Sequence, residues 1–350
     1  MPSRRSGLRP VCTGTVQEPV QSPLEDLVPE PKCLPNVTHQ LVTERLTDLR
    51  DATACQQSPW PPAARRQMTE PAGSHARGRA SETAMVSELQ HPAADRMNPH
   101  IARVYDRLLG GKDNYEADRR YADRLIRTCP ELPRLARHNR NAMVRMIYTL
   151  ARAGVRQFLD LGTGLPTSPN VHEVARQVAP ESRVVYVDND PFVLSHARAL
   201  LKGAPGTTAY INASVEDPDK ILSEAKEHLD FDQAIGVTAL AVLHFVKDAQ
   251  SPMRRLCDAL TAGSYLGLSH ALPKMDYVAE RYRNTIGRGW PRTRQEIDAL
   301  ACGWRWLDPG LVDPAEWGAE LEVEVPFGEV DATAGTGLAL CGLARKPEPS

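Results

Sequence analysis

The sequence predicts an α/β fold: a mostly parallel sheet covered by helices on both faces. Three observations predict it. From residue 157 onward, short apolar runs alternate with segments of helical period, as expected of parallel strands joined by crossover helices. The first run, Phe158-Leu159-Asp160-Leu161, ends in a glycine turn, Gly162-Thr163-Gly164. The second, Val184-Val185-Tyr186-Val187, ends in Asp188-Asn189-Asp190, so two neighbouring strand tips carry a tight turn and an acid.

Residues 1–95 stand apart. They hold 12 of the 29 prolines and a single aromatic, Trp60, and so lack the apolar surface to offset their ordering entropy. They are read as a disordered tail, with a short helix weighed for 41–49. Met85 and Met97 stand just ahead of the patterned region, and either could begin a shorter chain.

Residues 96–155 read as a helical cap. Ile101, Val104, Tyr105, Leu108 and Leu109 recur at helical spacing, and Gly110-Gly111 ends that helix. A second helix over 117–128 is stopped near Pro130, and a third covers 132–153 with Leu135, Met143, Ile147 and Leu150 on one face. Residues 156–346 then give strands at 157–161, 184–188, 208–212, 233–238, 265–270, 304–307 and 337–344. The intervening helices fall at 170–178, 191–201, 218–229, 252–260 and 294–301.

The two strand tips point to a nucleoside. Glycine lets the backbone approach a ligand with no Cβ in the way. Asp188 lies 24 residues past Gly164, near the roughly 20-residue spacing of a ribose-binding acid. A dinucleotide fingerprint wants a third glycine, but Pro166-Thr167 stands there, which disfavours a nicotinamide oxidoreductase. No lysine follows the turn, so it is not a phosphate loop. Asp160 suits the ammonium of an amino-acid tail, and Asp-x-Gly-x-Gly resembles the S-adenosylmethionine-binding turn of Rossmann-like methyltransferases.

Longer strings carry a closer resemblance: Arg103 to Tyr115, Gln157 to Thr167, Asn170 to Ala175, Val184 to Pro191, Ala241-Val242-Leu243-His244-Phe245, Gly263 to His270, and Asp308 to Val312. In this order they resemble the bacterial S-adenosyl methyltransferase family long catalogued as a domain of unknown function. The resemblance spans residues of about 98 to 345. It implies a Rossmann-like methyltransferase sheet of seven strands, the last antiparallel and closing the sheet as a hairpin. It also implies S-adenosyl-L-methionine as cofactor.

By that resemblance Asp160, Gly162, Thr163 and Gly164 surround the methionine tail and ribose. Asp188 takes the ribose hydroxyls, and Asn189 flanks the adenine. Ser214 and Val215 meet the adenine at the third strand tip, Ser214 standing where relatives often carry an acid. Thr238 and Ala239 line the methionine side. His244, after strand four, is either a general base or a packed core histidine. His270 has a similar position, and His172 reads as structural. Gly110 to Tyr115 is either a plain helix cap or a lid that brings Tyr115 near the sulfonium by cation–π attraction. Arg140 could reach the cofactor carboxylate. Arg281, Arg283, Arg288 and Arg292, with Tyr277, Tyr282 and Trp290, could shape a pocket for an acidic or aromatic acceptor, or could lie on a solvated helix.

Composition narrows the partners. A net charge of −2 leaves no footprint for nucleic acid. No run of 18 apolar residues, the length a membrane span needs, occurs in the sequence. Seven scattered cysteines with no C-x-x-C pair argue against a zinc site and for a reduced, cytoplasmic setting. The expected partner is a small-molecule methyl acceptor. The rival class is a protein that binds S-adenosylmethionine without catalysis.

Overall fold

The apolar runs form strands because nearly every residue in them is buried, as a parallel sheet covered on both faces requires. In the computed structural model the described residues are 96–200, 206–328 and 335–348, all within the unit Arg45–Ser350. The tail reading for 1–95 and the helix weighed for 41–49 lie outside the described residues. The sheet is built from β1 (Gln157–Leu161), β2 (Arg183–Asp188), β3 (Thr208–Asn212), β4 (Gly236–Leu240), β5 (Tyr265–Ala271), β6 (Arg305–Trp306) and β7 (Ala339–Arg345). Their spatial order is β3-β2-β1-β4-β5-β7-β6. β7 is antiparallel to both its neighbours, as expected of the last strand. It pairs with the preceding two-residue strand β6 on one side and with β5 on the other.

Strand order reverses between β1 and β4. At such a switch point the loops leaving the carboxyl ends part in opposite directions and leave a crevice. The register places Asp160 of β1 beside Tyr186 of β2 and Thr238 of β4.

Three helices precede the sheet: α1 (Ile101–Leu109), α2 (Glu116–Thr128) and α3 (Leu132–Arg152). The crossovers are α4 (Val171–Val178), α5 (Pro191–Leu200), α6 (Pro218–Ala225) and α7 (Gln250–Ala259), with α8 (Asp276–Ile286) and α9 (Arg294–Ala299) after β5. One face of the sheet buries Leu159, Val185, Ile211 and Val237 against α6 and α7. The other buries Phe158, Val184 and Tyr186 against Met146, Ile147 and Leu150 of α3. Each such side chain contributes about 1.5–3 kcal/mol. The second half of α3 therefore belongs to the layer that covers the sheet. The helical cap proper is α1, α2 and the start of α3, packed on α8 through Val104, Leu125, Val278 and Tyr282.

Two boundaries differ from expectation for local reasons. The fourth strand begins at Gly236 because Asp230 turns the chain instead, accepting from the Asp232 and Gln233 side of that turn while its own N–H donates to Gln157 Oε1 at 2.7 Å. α7 begins at Gln250, two residues before Pro252, because Asp248 accepts from Ser251 N at 3.2 Å and caps that end.

A buried ion pair locks the cap. Arg103 Nε donates to Asp118 Oδ2 at 2.9 Å, and both side chains are fully buried. Asp118 also accepts from the backbone N–H of His100 and Tyr115 at 2.9 and 2.8 Å. Such a pair repays its desolvation only when its remaining lone pairs are satisfied, as they are here.

Candidate functional site

A cavity of about 330 Å³ opens at the carboxyl ends of β1, β2, β3, β4 and β5, roofed by α1, the start of α3 and α8. That volume falls within the range of about 300–1,000 Å³ common for small-molecule sites. One end is polar and lies on β1 and β2; the other is apolar and lies under the cap.

At the polar end, Gly162 and Thr163 donate their backbone N–H groups to Val187 O at 2.8 and 3.1 Å, which folds the turn back over β2. Gly162 and Gly164 both take left-handed conformations, φ 67° and 65°. Their needs differ. A Cβ on Gly162 would stand 2.3 Å from Val242 Cγ2, so this glycine is required by close packing. A Cβ on Gly164 would meet nothing within 4 Å and would project into open space beside the cavity. Asp188 ties the turn to the second strand: Oδ2 accepts from Gly164 N and Oδ1 from Asp190 N, both at 2.9 Å. Burial pushes the Asp188 carboxyl up, while those two N–H groups oppose the shift.

Asp160 lies deeper. Its Oδ1 accepts from Thr238 Oγ1 at 2.5 Å, and burial pushes its pKa up to about 6 despite that bond and the nearby Arg140 cation. Arg140, on α3, donates one terminal nitrogen to Thr167 O and Pro169 O, at 2.5 and 2.7 Å, and so holds the loop after the glycine turn. Its Nε is buried without a partner. A carboxylate and a guanidinium thus share the end of β1.

The third strand tip brings Ala213, Ser214 and Val215 to the wall. Ser214 Oγ accepts from Glu216 N at 3.1 Å and donates to Glu216 Oε2 at 3.3 Å. Glu216 in turn accepts from Arg288 at 3.2 Å, an exposed pair between the loop after β3 and the loop after α8.

At the apolar end, a short 3₁₀ turn, Leu243–Phe245, carries His244 onto the wall. Its Nδ1 is buried and makes no hydrogen bond, and burial with neighbouring His270 and Arg292 holds its pKa well below the ordinary histidine range. The ring lies 5.4 Å from that of His270, edge to face. His270 is occupied. Arg292 approaches its Nε2 at 2.9 Å, and a guanidinium offers only donors, so Nε2 accepts and Nδ1–H donates to Ala271 O at 2.8 Å. Burial, opposed by that carbonyl, lowers its pKa to about 4. Arg292 also donates to Leu243 O, Val246 O and Lys247 O, each at 2.9 Å, and so staples the turn that presents His244. Ala241, on the same wall, has φ 54°, an uncommon conformation for a residue with a Cβ, and its N–H donates to Ser269 Oγ at 2.8 Å.

Most expected site residues come together. Asp160, Gly162, Thr163, Gly164, Asp188, Asn189, Ser214, Val215 and His244 all line the one cavity. Thr238 and Ala239 do not. Both are fully buried in β4, and the wall there is formed instead by Leu240, Ala241 and Val242. Thr238 acts through its bond to Asp160. The strand runs two residues further than expected, which moves the wall along by the same amount.

Tyr115 also lies off the wall. Its ring packs on Phe192 at 5.8 Å, and the cations over it are Arg103 and Arg96, 5.2 and 5.3 Å from the centroid. Gly110 is the left-handed cap of α1, and Gly111 leaves room for the Asp106 carboxylate, where a Cβ would clash. Asn114 Nδ2 donates to Asp106 Oδ2 at 2.7 Å and to Gly111 O at 2.9 Å. This string is a tied junction between α1 and α2, with no ring over the cavity. His172 is structural: its Nδ1 lies 2.8 Å from Tyr186 Oη and both are buried. Sequence reasoning missed Tyr105, Asn139 and Asp106 on the wall, since at helical spacing they read only as positions on a core or solvated face.

A sequence profile of the S-adenosyl methyltransferase family matches residues 87–347, and the chain belongs to that family. It is therefore an S-adenosylmethionine-dependent methyltransferase by family and fold. A candidate methyltransferase from Thermobifida fusca YX is 40% identical, with a TM-score of 0.67 over 74% of this chain and 99% of that one. A DUF574 family protein from Streptomyces avermitilis is also 40% identical, with a TM-score of 0.65 over 72% and 99% of the two chains. No curated protein matches the chain. Among the described residues no helix is long and apolar enough to cross a membrane, and no cluster of acids, cysteines and histidines could hold a metal.

Proposed function

We propose that this chain moves the methyl group of S-adenosylmethionine onto a small molecule held beside His244. One observation carries the reading: Gly164 and Asp188 line the same cavity as His244, so a donor at the strand tips and an acceptor under the cap share one enclosure.

The residues fit the donor. Open space beside Gly164 leaves room for a ligand against the backbone, as a nucleoside needs. Asp188 would take the ribose hydroxyls, with Asn189, Ser214 and Val215 about the adenine. Arg140, with its unpartnered Nε, suits the carboxylate of an amino-acid tail, and Asp160 suits its ammonium. The sulfonium supplies an already activated methyl group. The chain's own contribution is to position the acceptor, exclude water and hold a proton acceptor nearby. His244 serves as that acceptor because its ring is neutral at pH 7 and one nitrogen is unpaired. Arg292 is a positioning residue, acting through the carbonyls of the 3₁₀ turn.

The test incubates the full chain with methyl-labelled donor and fractionated cell extract. Label should enter the small-molecule fraction and depend on His244. Label confined to macromolecules would refute the acceptor class.

A further inference from the structure

We propose that the acceptor is an uncharged, largely apolar molecule that presents a hydroxyl to His244, an inference that rests on the donor site described above. The wall beyond His244 is built from Leu108, Leu135, Phe245, Met275, Val278 and Tyr282, contributed by α1, α3, α8 and the turns after β4 and β5. Such a wall repays burial of apolar surface and penalises an unpaired charge heavily.

The charged groups nearby are already committed. Arg292 spends its terminal nitrogens on three carbonyls and His270. Arg283 donates to Gly289 O at 2.6 Å and to Asp276 at 3.0 Å. Arg288 is shared between Glu216 and Phe245 O, at 3.2 and 3.1 Å. Arg281 is exposed and off the wall. Of these four arginines only Arg288 lines the cavity, and its charge is paired with Glu216 at the solvent edge. Asp106 accepts from Asn114 through Oδ2, and burial pushes its pKa up, which disfavours the ionised form that an ammonium would need. His100 sits 3.2 Å from Asp190, at the donor end.

Two of the neutral polar groups beside His244 are committed. Tyr105 Oη donates to Ala136 O at 3.2 Å and accepts from Asn139 Nδ2 at 3.0 Å. His270 is held on both nitrogens. His244 retains an unpaired ring nitrogen at the junction of the two halves of the cavity. A hydroxyl is the group that such an imidazole can orient and deprotonate. In the transfer, the acceptor oxygen forms the new O–CH₃ bond as the S–CH₃ bond breaks, with that electron pair passing to sulfur. The hydroxyl proton goes to His244 and from there to water after release.

The experiment titrates the full chain, loaded with S-adenosylhomocysteine, with 2-naphthol, 2-naphthoate and protonated 2-naphthylmethylamine. The three probes share a ring system and differ in charge. 2-Naphthol should bind about tenfold or more tightly than either ion, because the ions must shed water against an apolar wall. Ile286→Glu, which sets a carboxylate on that wall, should abolish naphthol binding and leave S-adenosylhomocysteine affinity within about twofold. Should that variant not fold, Val278→Phe fills the same space without charge and must weaken naphthol binding instead. Equal or tighter binding of either ion, no binding of any probe, or naphthol binding indifferent to these variants would overturn the acceptor class while donor binding stands. Failure to bind S-adenosylhomocysteine at all would instead overturn the donor reading beneath it.

Discussion

Replacing Asp188 by alanine should weaken donor binding and the fold by separately measurable amounts. In the folded chain its carboxylate accepts two backbone N–H groups, from Gly164 and Asp190. Each oxygen keeps a second lone pair for a ribose hydroxyl. Hydrogen bonds to a charged group contribute about 1.5–3 kcal/mol each, so losing the pair, less what water restores, costs about 2–3 kcal/mol of binding. That is a loss of about 30- to 150-fold in affinity. The fold loses about 1–3 kcal/mol, because the two N–H groups at this largely buried site lose their acceptor. Calorimetric titration with S-adenosylhomocysteine reads the first quantity and denaturant unfolding the second. An affinity within twofold of the parent, with the protein folded, would refute the assignment of Asp188 to the ribose.

Other perturbations separate neighbouring roles. Asp160 should give donor binding an acid limb. Its folded-state pKa, about 6, is raised above the ordinary aspartate value, so below that pH it is protonated and cannot face an ammonium. Affinity for S-adenosylmethionine should fall as pH drops through 6, and Asp160→Asn should flatten the profile; a flat parent profile would contradict the role. The same group should make the unliganded fold more stable as pH falls from 6 toward 4, since burial penalises its ionised form. Gly162→Ala should cost about 2–5 kcal/mol of stability, from left-handed strain plus the Val242 clash. Gly164→Ala should cost only the strain, about 1–2 kcal/mol, yet lose donor affinity; equal stability losses would undo the distinction. Asp118→Ala leaves Arg103 buried and uncompensated, and should cost about 3–5 kcal/mol in denaturant unfolding.

The sheet and the donor end were legible because their signals are local. A strand, its glycine turn and the acid at the next strand tip lie within one stretch of chain, and strands buried on both faces read as apolar runs. The apolar end was less legible because its parts meet only in space. Arg292 and His270 are 22 residues apart, and nothing in their spacing says that the arginine caps the histidine and removes it as a base. Tyr115 misled for the opposite reason: an unusual string near glycines suggests motion, whereas here Gly111 makes room for a buried carboxylate. Thr238 was misplaced by the end of β4, since strand ends depend on turn hydrogen bonds and not on apolar pattern.

The central claim is that the strand tips of β1 and β2 hold S-adenosylmethionine in the cavity that also contains His244. A crystal structure of the full chain with S-adenosylhomocysteine tests it most directly. The ribose hydroxyls should lie on Asp188, the backbone of Gly164 against the ligand, the amino-acid tail between Asp160 and Arg140, and the sulfur facing His244. A ligand bound elsewhere, or in this cavity with its ribose away from Asp188, would contradict it.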